Sequence, residues 1–163
     1  MYTITIEGEI DEKSVEKFAN DIIGWDGADG ITIMFDSNGG YVDSGYDMAD
    51  LILALKTKTD VVAVNSGNVM SAATIPYLVC SYRMFYPSKG DFLIHQASLE
   101  GLDGNGDELL KAAISTLSVD NELAEFYSAV GGKPAEVYLE RMEKDEPLSV
   151  DEMVELGFVD EIL

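Results

Sequence analysis

The segment Ile31-Thr32-Ile33-Met34-Phe35-Asp36-Ser37-Asn38-Gly39-Gly40 decides the fold. Its first five residues are a short apolar run rich in β-branched side chains, which reads as a strand. Asp36 to Gly40 reads as a turn, because Asp, Ser, Asn and paired Gly break regular structure. Residues 41–55 then place Met48, Leu51, Ile52 and Leu55 at helical spacing. The same order recurs downstream. Residues 60–64 read as a strand, a loop follows, and residues 71–80 read as a buried helix with Pro76 in its first turn or at a kink. Upstream, residues 2–7 alternate as a strand. Residues 11–23 form a helix carrying Val15, Phe18, Ala19, Ile22 and Ile23, and the Gly- and Asp-rich 24–30 is a loop.

Beyond strands at 82–86 and 92–94 the chain turns helical. Residues 107–130 put Leu110, Ile114, Leu117, Ala124 and Tyr127 near one face and stop at Gly131-Gly132. Residues 134–142 form a helix opened by Pro134. Ser149 is an N-cap with Glu152 at the capping-box position of a helix that ends near Gly157, and residues 158–162 form a terminal strand. Strand–helix alternation followed by helices predicts one α/β domain, residues 1–163, with a helical extension.

Composition narrows the function. The 163 residues hold 10 Lys and Arg against 31 Asp and Glu, a net charge of −21. Such a surface opposes nucleic acid and anionic membranes, both of which need positive charge on their partners. It fits a solvated acidic shell, adaptation to high salt, or a basic partner. The lone Cys80 cannot form an internal disulfide. The chain opens on a strand rather than a signal peptide, and its longest apolar stretch, 72–80, is too short to span a bilayer. A cytoplasmic protein is the expectation. Neither a zinc site, an EF-hand loop nor a P-loop is present, so no metal or cofactor is expected.

Three segments can carry chemistry. Gly39-Gly40 follows a strand, where backbone amides can face an anion or oxyanion; a plain tight turn is the alternative. Ser71 stands at a helix start with the Ala72 N–H free to stabilise negative charge; an N-cap serine is the alternative. His95, the single histidine, follows an apolar strand; it reads as a general base or as a hydrogen-bonded structural residue.

Taken in order, the Gly-Gly turn, Ser71 at a helix start, Ile94-His95-Gln96, and Asp145 ahead of Leu148-Ser149 resemble the Clp protease proteolytic subunit (ClpP) family of serine peptidases. The ending from Leu148 to Ile162 is similar to that family's last helix and strand. The resemblance implies a crotonase-like spiral of ββα units with a protruding helical handle, about residues 107–130. It implies Ser71 as nucleophile, His95 as general base and Asp145 as the acid that orients it. It implies oxyanion-hole amides from Gly40 and Ala72, and a polypeptide substrate lying beside Tyr41, Val42 and Gln96. It implies a homo-oligomeric ring, a heptamer or stacked heptamers.

The departures are informative. Asn38 stands where the family has Pro, which predicts a less rigid loop. Ser71-Ala72-Ala73 is more similar to the Clp-like proteases of phage head maturation. The first strand begins at Tyr2, without the segment that forms an axial gate in members working with an AAA+ unfoldase, so neither gating nor docking to such a partner is carried over from the resemblance. The implied activity is hydrolysis of extended or unfolded polypeptides, in capsid maturation or another ATPase-independent role. Three alternatives stay open: a catalytically inactive interaction subunit, a crotonase-fold acyl-thioester enzyme, and a Ser–Lys dyad using Lys89.

Overall fold

A computed structural model describes all residues, Met1–Leu163. The chain divides into two compact units: Met1–Leu93 with Pro147–Leu163, and Ile94–Glu146.

The first unit is built on a parallel sheet. Its strands are β1 (Tyr2–Ile10), β2 (Ile31–Gly40), β3 (Val61–Met70), β4 (Tyr82–Phe85), β5 (Phe92–Leu93) and β6 (Glu161–Ile162). They lie in the order β1-β2-β3-β4-β6, with β5 pairing the far end of β3. The helices are α1 (Glu12–Ile23), α2 (Val42–Lys56), α3 (Thr74–Leu78) and, near the C-terminus, α6 (Val150–Glu155). β2 shows the expected period of two: Ile31, Ile33 and Phe35 are buried while Thr32 and Met34 are half-buried. Met48, Ile52 and Leu55 of α2 are buried, as their spacing predicts. An aromatic cluster fills the interior: Tyr77 meets Phe35 at 5.3 Å and Phe92 at 5.5 Å, both edge-on, and Phe158 lies 5.6 Å from Phe92.

Several extents differ from the sequence reading. β1 runs on to Ile10, the terminal strand is only Glu161–Ile162, β2 does not turn at Asp36 but runs on to Gly40, and β3 does not end at Val64 but continues to Met70. The extensions of β2 and β3 contain a register shift. Against β3, β2 advances from Phe35 to Ser37 while β3 advances from Asn65 to Val69. Side chains bridge β2 and β3 there: Ser66 Oγ donates to the Phe35 carbonyl at 3.3 Å, and the Asn68 N–H donates to Asp36 Oδ1 at 3.1 Å. On the other side of β3, Asn65 Nδ2 donates to the Gly67 and Tyr86 carbonyls at 3.1 and 3.0 Å, and its Oδ1 accepts the Tyr86 N–H at 2.6 Å. The segment read as one helix over 71–80 is a 3-10 turn, Ser71–Ala73, followed by the short α3, whose third residue is Pro76. Proline fits there because a first-turn N–H has no helical acceptor to lose.

β4 is clipped to the C-terminal segment. Arg83 donates Nε to Asp160 Oδ2 and Nη2 to Asp160 Oδ1, each at 2.9 Å, and Nη1 to the Gly157 carbonyl at 3.0 Å. These bonds hold the Asp160 carboxyl below its ordinary range. Because the fold favours the ionised form, this contribution to stability is complete above the usual carboxylate range and is lost as pH falls through the lowered value. The melting-temperature gap between wild type and Arg83→Met is therefore expected to be widest above about pH 5 and to close on acidification. A gap independent of pH would remove this account.

The second unit holds α4 (Gly106–Gly131) and α5 (Ala135–Glu143). Asn105 caps α4 with Glu108 in a capping box, and Gly132 closes it at φ 83°. Leu123, Ala124 and Tyr127 are buried with Tyr138 and Met142 of α5, and the Tyr127 and Tyr138 rings lie 6.2 Å apart. The single apolar face expected along α4 is only half buried. Leu110, Ile114 and Leu117 are 58–59% exposed, because the packed stretch begins at Asp120. No helix is long and apolar enough to cross a membrane.

Candidate active site

In the first unit, the ends of β2 and β3 bring Gly39, Gly40, Ser71 and Ala72 into one neighbourhood. Ser71 follows β3 directly and begins the 3-10 turn at φ 54°, in the left-handed region. Only one other non-glycine residue has a positive φ, Asp145 at 49°. L-residues avoid this region, and such strain persists where the surrounding structure imposes it. Here the imposing contacts are visible. Thr74 Oγ1 donates to the Ser71 carbonyl at 2.7 Å, and the Thr74 N–H bonds back into the same turn. The Ser71 side chain is half-buried, and Ala72 is buried. The Ala72 N–H lies in a first helical turn, where no helical acceptor exists for it. The N-cap position of this turn is held by Met70, one residue before Ser71.

Gly39 lies against Ser71. A Cβ on Gly39 would stand 2.5 Å from Ser71 Cβ and 2.8 Å from the Met70 carbonyl, and its φ of 102° suits glycine. Its N–H donates to Ser37 Oγ at 3.1 Å. The next N–H but one, Tyr41, donates to the Ile10 carbonyl at 2.8 Å. Alternation along the strand therefore turns the Gly40 N–H away from β1. Tyr41 is 64% exposed and precedes α2, and Val42, the first residue of α2, is half-buried.

In the second unit, His95 Nδ1 and Asp145 Oδ1 are 3.0 Å apart. A carboxylate can only accept, so Nδ1 carries the proton, and in the neutral tautomer Nε2 is then the acceptor nitrogen. The His95 side chain is 31% exposed and that of Asp145 71%. Asp145 sits just after α5, its N–H donating to the Met142 carbonyl at 3.4 Å, while Arg141 Nη2 holds the Glu146 carbonyl at 2.9 Å. Gln96 is exposed.

Sequence reasoning missed the supports. Asp120, buried in α4, accepts the Ala97 N–H at 2.6 Å, two residues beyond His95. Asn38 is not loose, because its Oδ1 accepts from Asn68 Nδ2 at 2.8 Å. Polar side chains in strand extensions were the only signal available for Asn68. Cys80 offers no rival nucleophile: burial pushes its thiol up to about 12, which keeps it protonated near neutrality.

The model of the family described as Clp protease matches residues 1–163. The chain is 27% identical over 165 aligned residues to an ATP-dependent Clp protease proteolytic subunit 3 of Rhizobium etli, covering 99% of this chain and 83% of the relative. It is 28% identical to the ATP-dependent Clp protease proteolytic subunit of Porphyromonas gingivalis, covering 95% and 70%. Among solved structures, ClpP1 from Listeria monocytogenes superposes with a TM-score of 0.80 at 26% identity, over 99% of this chain and 90% of that one. A mutant of that protein gives 0.82 at 27%. The shared fold is the crotonase-like α/β fold of ClpP, with α4 as its long helix. Sequence, from the first residue to the last, and backbone agree that this chain belongs to the Clp protease family.

Proposed function

We propose that this chain is a serine endopeptidase that cleaves extended or unfolded polypeptides. The observation that carries the reading is Ser71, held at φ 54° between a strand and a helical turn with Gly39 packed against it. That backbone presents a hydroxyl at a strand end with a first-turn amide beside it, the arrangement an acyl-transfer nucleophile needs.

On this reading Ser71 Oγ attacks the scissile carbonyl carbon, and His95 Nε2 takes the hydroxyl proton. Asp145 holds the His95 tautomer and stabilises the imidazolium. The carbonyl electron pair moves to oxygen, where the Gly40 and Ala72 amides receive it; each such donor lowers the barrier by about 3–4 kcal/mol. His95 then protonates the leaving amine, the C–N bond breaks, and water repeats the sequence on the acyl-enzyme. Tyr41, Val42 and Gln96 flank the bound polypeptide. The working form is a homo-oligomer of this chain: Leu109, Leu110, Ile114 and Leu117 of α4 are exposed, which supports burial against further copies.

Intact-mass labelling with an alkyl fluorophosphonate tests the reading. One adduct is expected on wild type and none on Ser71→Ala. An adduct that survives Ser71→Ala, or its absence from assembled wild type, would defeat it.

A further inference from the structure

The main-chain ladder between β2 and β3 fails just before both strands reach Ser71 and the Gly-Gly pair, since β2 spends two residues where β3 spends four. Ser66 Oγ, on the Phe35 carbonyl at 3.3 Å, bridges the start of the gap, and Asn68 bridges the end nearest the glycines. Asn68, half-buried in this bulge, donates Nδ2 to Asn38 Oδ1 at 2.8 Å. Its own Oδ1 accepts the Asp91 N–H at 2.9 Å, and its main-chain N–H donates to Asp36 Oδ1 at 3.1 Å. The neighbouring Val69 N–H donates to the Asp91 carbonyl at 2.9 Å. Three segments thus meet at one amide: the strand carrying Gly39 and Gly40, the strand that ends at Ser71, and the residues leading into β5.

We infer that Asn68 is a positioning residue, which through Asn38 sets the height of the Gly40 amide relative to Ser71. The inference rests on the serine-peptidase reading. Asn68 touches neither substrate nor the reacting atoms. An oxyanion donor must sit near 3 Å from where the charge develops, and a displacement of about 1 Å can cost about a hundredfold in rate. A glycine pair has no side chain with which to fix its own position, so the bond to Asn38 immediately before it supplies that restraint. The chemistry selects Asn at position 68. Asp lacks the donor for Asn38, Gln is one methylene too long, and Ala makes neither bond. At position 38 only the acceptor oxygen is used, so Asp can substitute.

The test reads phosphonylation by the same alkyl fluorophosphonate, separating the inactivation rate constant kinact from the binding constant KI. In that step the Ser71 Oγ–P bond forms, the P–F bond breaks, fluoride leaves, and the hydroxyl proton passes to His95. Negative charge on the phosphoryl oxygen develops in the oxyanion hole. Asn68→Ala is expected to lower kinact by about ten- to a hundredfold and to leave KI within about twofold. Asn38→Ala should lower kinact through the one shared bond, and the double variant should lose no more than Asn68→Ala alone, because that variant already lacks the Asn38–Asn68 bond. Asn38→Asp should restore kinact, whereas Asn68→Asp should not. Loss through general unfolding would not be rescued by an acidic residue at one position and refused at the other. Asn38 is exposed, so its pair of variants carries the test if Asn68→Ala fails to fold. Wild-type kinact in Asn38→Ala would overturn this role for Asn68 while leaving the serine reading intact. Absence of any adduct on wild type would overturn both.

Discussion

Ser71→Gly is expected to be inactive and yet more stable than wild type. Removing the nucleophile of a serine hydrolase costs about 10⁶-fold in turnover. The backbone effect has the opposite sign. A left-handed conformation costs an L-residue about 1–2 kcal/mol, which glycine avoids. Glycine brings back about 0.5–1 kcal/mol through the freedom of its unfolded chain. The net gain is about 0.5–1 kcal/mol, measurable by chemical denaturation. Ser71→Ala keeps the strained φ of 54° and should show the same loss of activity without the gain. If Ser71→Gly proves less stable than Ser71→Ala, the backbone at this position is not under strain.

Gly40→Ala should also remove most activity, by a different route. A Cβ there would run into the carbonyl oxygen, nitrogen and carbonyl carbon of Ile10, all main-chain atoms of the neighbouring strand. A flexible side chain could swing aside; main-chain atoms paired with β2 cannot do so without opening the end of the β1–β2 ladder. Forcing atoms into such a site costs about 1–3 kcal/mol. The relief available is for β2 to move away from β1, which carries the Gly40 amide out of line. Loss of one oxyanion donor lowers turnover by about 10²–10³-fold. The variant should retain its far-ultraviolet circular dichroism and melt at a lower temperature. It should label slowly with fluorophosphonate; labelling at the wild-type rate would exclude Gly40 as a donor.

Element types were legible in the sequence, and extents were not. The apolar alternation of residues 31–35 predicts a strand, and Ile31, Ile33 and Phe35 are buried as it requires. The polar residues that follow carry no such pattern. They read as a turn, although their side chains stitch a sheet whose main-chain rungs are missing. The partner of Asn68 lies 30 residues away, which no local reading can reach. Helix caps were legible because they are local: Ser149 with Glu152, and Gly132 after α4, stand where expected. The α4 periodicity marks a face and not what covers it, and Leu110, Ile114 and Leu117 on that face are exposed in the single chain. The pairing of His95 with Asp145 was expected only through the family resemblance, as the two lie 50 residues apart.

The close stacking of main chains beside the site bears on how this sequence can vary. A Cβ on Gly67 would collide with the Asp36 carboxylate, and one on Gly90 would collide with Gly67 itself. The Gly90 and Gly67 main chains are therefore in contact with no room for a methyl group between them, and the Asp36 side chain closes over Gly67. In a saturation scan read out on folding alone, intolerance should form a band running across the sheet, through positions 36, 67 and 90, rather than along any one strand. Homologues that drift at one of these positions would have to drift at its neighbour in the band as well, so variation there should come in compensated pairs.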